Sequence, residues 1–349
     1  MNMMETMKTI IAAILASLPF VAPAQSMELT CWTTRGEPLT LTTEGAMLEV
    51  PDTIAALDLR DVQAITLDRS SANPNCLYYT DDATTVEGLP NANVVCNGVC
   101  DGLLLTDEAC FFCPMAFTAT DAMLRLTPRR DDGGDEADPN QPCHETVFLP
   151  FDVDFVIPAD VNGPMPEGWL QTASYEGYAY NWLAFTMNNN TEHLNANTPY
   201  LVKFAYGAYG TKILFCGLDK TVEKSQMTIA GEGPFFFVGT TMSQNEESGF
   251  FRYYRGEEQY FIHTGDSVLM EPFRCFIVDG DENSEGIEPP SEEGNERILK
   301  YFVGEISTGI DRRNSQDSTK VYYDLLGRPV TNSKTVRGIK IARGVKILK

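Results

Sequence analysis

The sequence predicts an all-β protein, and three observations support this prediction. Short apolar runs recur at roughly the 8–12-residue spacing that is typical of antiparallel and solenoid β-folds. Clusters of turn-forming residues separate them, among them Asn73-Pro74-Asn75 and Asn97-Gly98. No window of helical length carries apolar residues at i, i+3, i+4 and i+7. We therefore expect a short solenoid-like β-ladder, then a β-sandwich of jelly-roll type, then a β-hairpin tail.

Changes in composition divide the chain into regions. Residues 27–128 form the predicted β-ladder, because an apolar triplet followed by Asp recurs near residues 57–59, 65–68, 77–81 and 103–107. Residues 129–142 are a polar linker with solvated carboxylates. Residues 143–306 form the predicted sandwich, with strands expected at 146–157, 178–187, 212–216 and 221–229, among others. Residues 307–319 link this region to the tail, residues 320–349.

The N-terminus has the pattern of a secretory signal peptide, residues 1–24. Lys8 precedes the apolar runs 10–16 and 18–22, and Ala22-Pro23-Ala24 then forms an A-x-A-like cleavage site before Gln25. No later run approaches the ~18 apolar residues that a membrane span needs. We expect an exported chain with no transmembrane segment after cleavage.

Charge is distributed unevenly. The net charge is −23, yet from Arg297 onward twelve Lys or Arg stand against four Asp or Glu, which makes that part +8 and the rest −31. An acidic body repels polyanions, so nucleic acid and bare anionic membranes are poor partners.

Nine cysteines follow the cleavage site. Export favours disulfides, and an odd number leaves at least one thiol unpaired. Buried apolar thiols are a second interpretation. Zinc at Cys96-x3-Cys100 and Cys110-x2-Cys113 is a third, although the nine residues between these pairs are fewer than a zinc ribbon uses.

The C-terminal tail carries a recognisable pattern. Its marks are Tyr323, Asp324, Gly327, Arg328, Gly338, Gly344, Lys346 and Lys349. This arrangement resembles the C-terminal sorting domain of Bacteroidetes proteins that leave the cell by type IX secretion, with Lys340 where an aromatic is usual. The resemblance implies a secreted or outer-membrane location and the secretion machinery as a partner.

The body is similar to a recurrent non-catalytic module of Bacteroidetes surface proteins. The similar segments are 75–79, 93–98, 105–107, 116–119, 149–153, 198–203 and 272–274. This resemblance implies a surface location and gives no activity.

No catalytic or metal motif stands out. His144, His193 and His263 are far apart, and HExxH, G-x-S-x-G and Walker patterns are missing. His144 is interpreted as a surface side chain, within possible reach of Asp152. We assign no catalytic residue, metal or cofactor. A hydrolase with a carboxylate pair remains an alternative, because the chain has many Asp and Glu.

An aromatic group offers a candidate ligand site: Trp169, Tyr175, Tyr178, Tyr180, Asn181 and Trp182. Flat rings beside an amide can stack on sugars and hydrogen-bond their hydroxyls. Alternatively, Tyr178, Tyr180 and Trp182 alternate along one strand and face the core. The sequence thus favours an exported, non-catalytic, adhesin-like protein whose partner is a host or environmental glycan or protein, with glycan binding at these residues as the alternative.

Overall fold

The computed structural model describes residues 26–131, 143–159, 168–179, 182–188, 193–204, 210–231, 234–245, 250–255, 259–263, 269–280 and 297–304, with four short strands in the tail. These residues form strands, turns and bends, and no helix occurs among them. The all-β prediction is confirmed. The same residues accordingly contain no helix long and apolar enough to cross a bilayer.

The strands, in chain order, fall into a first and a second half. The first half is β1 Ser26–Thr33, β2 Pro38–Glu44, β3 Met47–Glu49, β4 Ile54–Asp58, β5 Gln63–Asp68, β6 Leu77–Thr80, β7 Thr85–Glu87, β8 Val94–Cys96, β9 Val99–Thr106, β10 Phe117–Leu126, β11 Cys143–Val147, β12 Phe155–Pro158, β13 Leu170–Ala179 and β14 Trp182–Met187. The second half is β15 Tyr200–Phe204, β16 Ile213–Val222, β17 Thr228–Ala230, β18 Phe235–Thr240, β19 Gln244–Asn245, β20 Phe250–Arg255, β21 Gln259–His263, β22 Leu269–Met270, β23 Arg274–Asp279, β24 Arg297–Val303, β25 Tyr322–Tyr323, β26 Pro329–Val330, β27 Lys340–Ala342 and β28 Val345–Ile347.

The N-terminal region is a small parallel solenoid, as predicted. Strands β3, β5 and β7 pair in parallel on one side, and β4, β6 and β8 pair in parallel on the other. The chain alternates between these two sheets, so each turn adds one strand to each. Ile65 and Leu67 from one sheet meet Leu57 and Tyr78 from the other in a buried apolar core. The apolar residues of the first two triplets, Leu57, Leu59, Ile65 and Leu67, therefore face inward on or directly after successive strands of the solenoid.

Two asparagines hold the end of the solenoid against β9. Asn75 is fully buried, and its side chain donates to the Thr106 and Ala109 carbonyls and accepts from the Thr106 N–H. Asn93 forms the same two-way contact with the backbone of Leu104. A buried amide is stable only when its donors and acceptor are satisfied, so these contacts fix the register of β9.

The solenoid sheet continues into the second half of the chain. Its nine strands run in the order β12-β16-β10-β9-β8-β6-β4-β1-β2, so β12 and β16 complete a sheet that begins at the N-terminus. Strand β10 provides the join, pairing in parallel with β9 and antiparallel with β16. Part of the predicted linker, residues 132–142, lies outside the described residues, and the division into domains stays a prediction.

The second sheet has ten strands and folds back on itself. Its order is β11-β15-β13-β14-β24-β21-β20-β23-β18-β17. Along β15, Tyr200 and Val202 pack toward the nine-stranded sheet, whereas Leu201 packs toward residues of β18, β20 and β23. Strands β11, β15 and β13 thus form a middle layer with an apolar core on each face. Strand β24 lies between β14 and β21 in this sheet.

Three strand predictions in this region were wrong in detail. Residues 178–187 are not one strand, because β13 and β14 form a tight hairpin in which Ala179 pairs with Trp182. Residues 146–157 divide into β11 and β12, which belong to different sheets. The predicted strands at 212–216 and 221–229 are instead one long strand, β16, which passes through Gly217 without a turn and ends at Val222, and a separate β17, which begins at Thr228. A Cβ at Gly217 would lie 2.5 Å from the Asp152 carbonyl oxygen, so this glycine permits close packing.

In the tail, four short strands form a separate sheet of order β26-β25-β27-β28. Strands β27 and β28 pair antiparallel, with Lys340 opposite Ile347.

Candidate functional site

The structure divides the predicted aromatic group between the core and the surface. Trp169 is buried against Phe204, with ring centroids 5.6 Å apart. Tyr175 is buried too, and its hydroxyl donates to the Phe235 carbonyl at 2.9 Å. Tyr178 is half-buried and packs 4.6 Å from the Phe235 ring. These three rings pack in the two cores that the middle layer separates, so they do not form one exposed platform.

Trp182 is the exception, with 41% of its surface exposed. It begins β14, whose parallel neighbour β24 places Lys300 opposite Trp182 and Phe302 opposite Ala184. Phe302 is 40% exposed. Since paired residues in a sheet point to the same side and alternate residues share a face, Trp182, Lys300 and Phe302 lie on one outward face. Two predicted site residues, Tyr180 and Asn181, lie outside the described residues.

Most of the sorting-tail residues also lie outside the described part of the chain. Tyr323 belongs to β25 and Lys346 to β28. The remaining six, Asp324, Gly327, Arg328, Gly338, Gly344 and Lys349, fall between or after the described strands.

The sequence did not predict the strongest polar feature, a buried ion cluster made of Asp107, Asp131, Glu145, Arg255, Glu271 and Arg274. The Nη1 of Arg255 donates to the Glu145 carboxylate at 3.2 Å and to the Glu271 carboxylate at 2.9 Å. Its Nη2 and Nε donate to the two carboxylate oxygens of Asp131, each at 3.2 Å. The Nη2 of Arg274 donates to Asp107 at 2.7 Å, and its Nε lies 3.4 Å from Glu145.

The members of the buried ion cluster come from different strands or from the segments that follow them. Asp107 follows β9, Asp131 comes after β10, and Glu145 lies on β11. Arg255 ends β20, and Arg274 begins β23. The cluster therefore ties the nine-stranded sheet to both layers of the folded sheet. Asp131 had been expected to be a solvated linker residue, and that expectation is wrong, because its carboxylate is bound to Arg255.

Burial and charge oppose each other in the buried ion cluster. Burial alone would raise the pKa of Glu271, but the guanidinium groups of Arg255 and Arg274 outweigh it and lower this pKa. For Arg274, burial favours the neutral form, but Glu145 and Asp107 reverse this and raise the pKa. The charged forms stabilise one another, so removing Arg255 or Arg274 leaves carboxylates without their guanidinium partner.

A cavity of about 220 Å³ lies beside the buried ion cluster, lined also by Thr146, Arg252, Met270 and Phe276. Glu145 and Glu271 both line it and share one nitrogen of Arg255, which brings their carboxylates close together. A glycosidase needs one carboxylic acid with a raised pKa to protonate the leaving group. The pKa of Glu271 is instead lowered by Arg255 and Arg274, so Glu271 is suited to ion pairing and not to donating a proton.

His144 is not the surface histidine that the sequence suggested. Its Nδ1 is buried and has no hydrogen-bond partner. Burial, assisted by the nearby charge of Lys203, lowers the pKa of His144 to about 4, so the ring is neutral at pH 7. It lines a cavity of about 330 Å³ together with Gln171, Met187 and Lys203. Asp152 accepts a hydrogen bond from the Ala196 N–H at 2.7 Å.

The structure favours the buried-thiol interpretation of the cysteines. Six buried thiols support it, namely Cys31, Cys76, Cys100, Cys113, Cys216 and Cys275, whereas the Cys96 thiol is exposed and the Cys110 thiol is half-buried. Burial raises the pKa of Cys76 to about 12 and that of Cys100 and Cys113 to about 11. Such thiols are protonated at neutral pH and make poor nucleophiles. No group of three or more His, Cys, Asp or Glu positioned for a metal occurs among the described residues.

No protein-family model matches this chain, and neither a curated protein nor a solved structure shows detectable similarity to it. The geometry alone defines two candidate sites: the outward face that carries Trp182 and Phe302, and the cavity beside the buried ion cluster.

Proposed function

We propose that this chain is an exported, surface-associated or secreted protein that acts by binding and not by catalysis. The observation that supports binding is that two aromatic rings are exposed, whereas the clustered carboxylates are held in ion pairs. Trp182 and Phe302 are presented outward on paired strands. The carboxylates of the buried ion cluster, in contrast, form ion pairs with Arg255 and Arg274. A rigid sheet that displays aromatic rings suits recognition of a partner.

Export is supported by the sequence at both ends of the chain. The signal-peptide pattern of residues 1–24 directs the chain out of the cytoplasm. The tail pattern, which includes Tyr323 and Lys346, resembles a type IX sorting signal. The acidic body is consistent with an extracellular partner other than nucleic acid.

Cell fractionation tests the proposed location. In a Bacteroidetes host with an active type IX apparatus, we expect the full chain at the cell surface or in the medium. The chain that lacks residues 322–349 should remain in the periplasm, because the sorting pattern has been removed. Both chains should show the same thermal unfolding midpoint after purification, which establishes that the deletion changes location without unfolding the body. Full-length chain in the cytoplasm would contradict export.

Glycan binding is a second candidate, and the exposed indole of Trp182 specifically favours it. The face that it shares with Lys300 and Phe302 offers two apolar rings and a cation within one small area. Sugar rings stack their C–H faces on indole, and neighbouring polar groups bind the hydroxyls. This candidate site has fewer aromatic residues than the one predicted from the sequence, because Trp169 and Tyr175 are buried.

The Trp182→Ala variant tests the glycan candidate. On a glycan array we expect the mature chain to bind at least one glycan class and the variant to lose about tenfold or more in affinity, since a stacked aromatic is a typical hot spot. Met227→Ala is the matched control, because Met227 is also exposed but lies just before β17, far along the sheet order from β14. Glycan binding that is equal in all three proteins would exclude the Trp182 face.

A further inference from the structure

We infer that the outer face of the nine-stranded sheet, at its β12 end, pairs with the same face of a second copy of this chain. The hydrogen-bond register aligns apolar side chains from four adjacent strands on this face. Met123 of β10 is opposite Leu104 of β9 on one side and Cys216 of β16 on the other, and Cys216 is opposite Phe155 of β12. The row therefore crosses the whole end of the sheet.

Neighbouring rows extend this row into a patch. On one side of this row, Leu214 of β16 is opposite Ile157 of β12. On the other side, Leu218 follows Cys216 by two residues on β16 and is opposite Asp121 of β10. We define the outer patch as Leu104, Met123, Phe155, Ile157, Leu214 and Leu218. The alternate residues Leu103, Leu124 and Phe215 are buried in the core on the other face of the sheet. The outer patch is thus an apolar second face on a sheet whose first face is already covered.

The outer patch provides the apolar centre that a dimer interface needs. Four of its six side chains, Leu104, Phe155, Ile157 and Leu218, keep between 40% and 52% of their surface exposed. A buried aromatic side chain covers about 150–250 Å², so Phe155 alone presents roughly 60–100 Å², and the other five apolar side chains add to it. A standard interface buries about 800 Å² on each partner, a little over half of it apolar. The outer patch supplies a contiguous part of that apolar share, and polar residues surround it.

Charge on β10 makes the patch complementary to itself. Asp121 and Arg125 lie two residues to either side of Met123 and point to the same outer face. Consider a two-fold axis that runs along the Leu104–Met123–Phe155 row between two stacked sheets. This axis reverses the strand direction, so it places Asp121 of one copy opposite Arg125 of the other. An axis parallel to the strands would instead place like charges together, so the charges select the first arrangement.

The other charged residues around the outer patch favour the same axis. Beyond Arg125, Glu108 lies 3.7 Å from Arg125 and 3.8 Å from Arg129, which leaves one net positive charge. Beyond Asp121, Lys220 is neutralised by Asp154 at 2.7 Å, which leaves the charge of Asp121. Each end of the patch therefore carries the opposite net charge to the other. A second copy satisfies both ends simultaneously, as an isologous interface requires.

The first test is sedimentation equilibrium of the mature chain, residues 25–349, at micromolar concentrations. We expect a monomer–dimer equilibrium, and Phe155→Lys should raise the dissociation constant by about tenfold or more, since it buries a charge in the patch. Ile229→Lys is the matched control, because Ile229 is similarly apolar and exposed but lies on β17 of the other sheet. A monomer at every concentration, or equal effects of both variants, would overturn the inference.

A charge swap tests the axis. Asp121→Arg and Arg125→Asp should each weaken the dimer by about tenfold, because each places like charges opposite one another twice. The double variant reverses both charges and should restore dimerisation. Arg35→Asp is the control, because Arg35 is exposed in the turn between β1 and β2, at the other end of the nine-stranded sheet, and should leave the dimer unchanged. Both 121 and 125 are strand positions with side chains at the surface, and circular dichroism establishes that each variant is folded. A double variant as weak as the singles would refute this pairing.

Discussion

Replacement of Arg274 with methionine is expected to destabilise the protein by about 3–5 kcal/mol, the cost of breaking a buried ion pair from one side. Methionine fills much of the arginine volume, so the loss comes mainly from charge. Asp107 and Glu145 would keep their buried carboxylates without the guanidinium that lies 2.7 Å from one and 3.4 Å from the other. The free energy of unfolding from urea titration at pH 7 measures this effect.

A surface ion pair supplies the control. Arg60 contacts Asp58 through two nitrogens, but its side chain is half exposed. Arg60→Met should therefore cost only about 0–1 kcal/mol. The pH dependence of stability gives an independent check. A glutamate whose pKa is lower in the folded than in the unfolded chain stabilises the fold at pH values above the ordinary glutamate pKa. That stabilisation is lost as the pH falls through the lowered pKa of Glu271. The difference between wild type and Arg274→Met should thus shrink in acid. Equal costs for the Arg60 and Arg274 variants would contradict this account.

Phe185→Ala should also cost about 3–5 kcal/mol, the usual loss for a large aromatic removed from a core. Phe185 is fully buried on β14. Its ring lies 5.3 Å from both Tyr175 and Phe237 and 5.8 Å from Tyr301, so it connects the middle layer to the strands that fold over it. Alanine would leave a cavity among rings that come from three different strands, which cannot all collapse into it.

Phe302→Ala is the matched control for this prediction. Phe302 lies on β24, paired with the residue that precedes Phe185, but its ring is exposed on the opposite face. Its removal should change the free energy of unfolding by about 0.5 kcal/mol or less. If the two variants unfold at the same urea concentration, the assignment of inner and outer faces to β14 and β24 is wrong.

Local patterns in the sequence were sufficient to predict the strand-rich class and the solenoid. In the solenoid, inward positions recur along the chain at each turn, so Leu57, Ile65 and Leu67 mark it in the sequence. The sequence could not indicate that β16 would join β10, because that pairing links residues about a hundred positions apart. Gly217 and Leu218 look like a turn locally, but they pair with Ala122 and Asp121 of β10, so the strand continues through them.

The candidate sites also depend on contacts that the local sequence does not show. Trp169, Tyr175 and Trp182 are close in sequence, but the hairpin between β13 and β14 sends Trp182 outward while the other two are buried. Conversely, Arg255 and Asp131 are far apart in sequence and give no motif. The available signal was the placement of Arg255 and Arg274 in apolar strands, where an arginine needs a buried partner.

Export is the central claim, and the most direct test is the mass of the chain recovered from the cell-surface or culture-medium fraction. The account predicts a chain that begins at Gln25, since Ala22-Pro23-Ala24 is the predicted cleavage site. Mass spectrometry of the intact protein, with sequencing of its N-terminal peptide, reads this directly. A chain that retains Met1 and is found in the cytoplasmic fraction would contradict the claim.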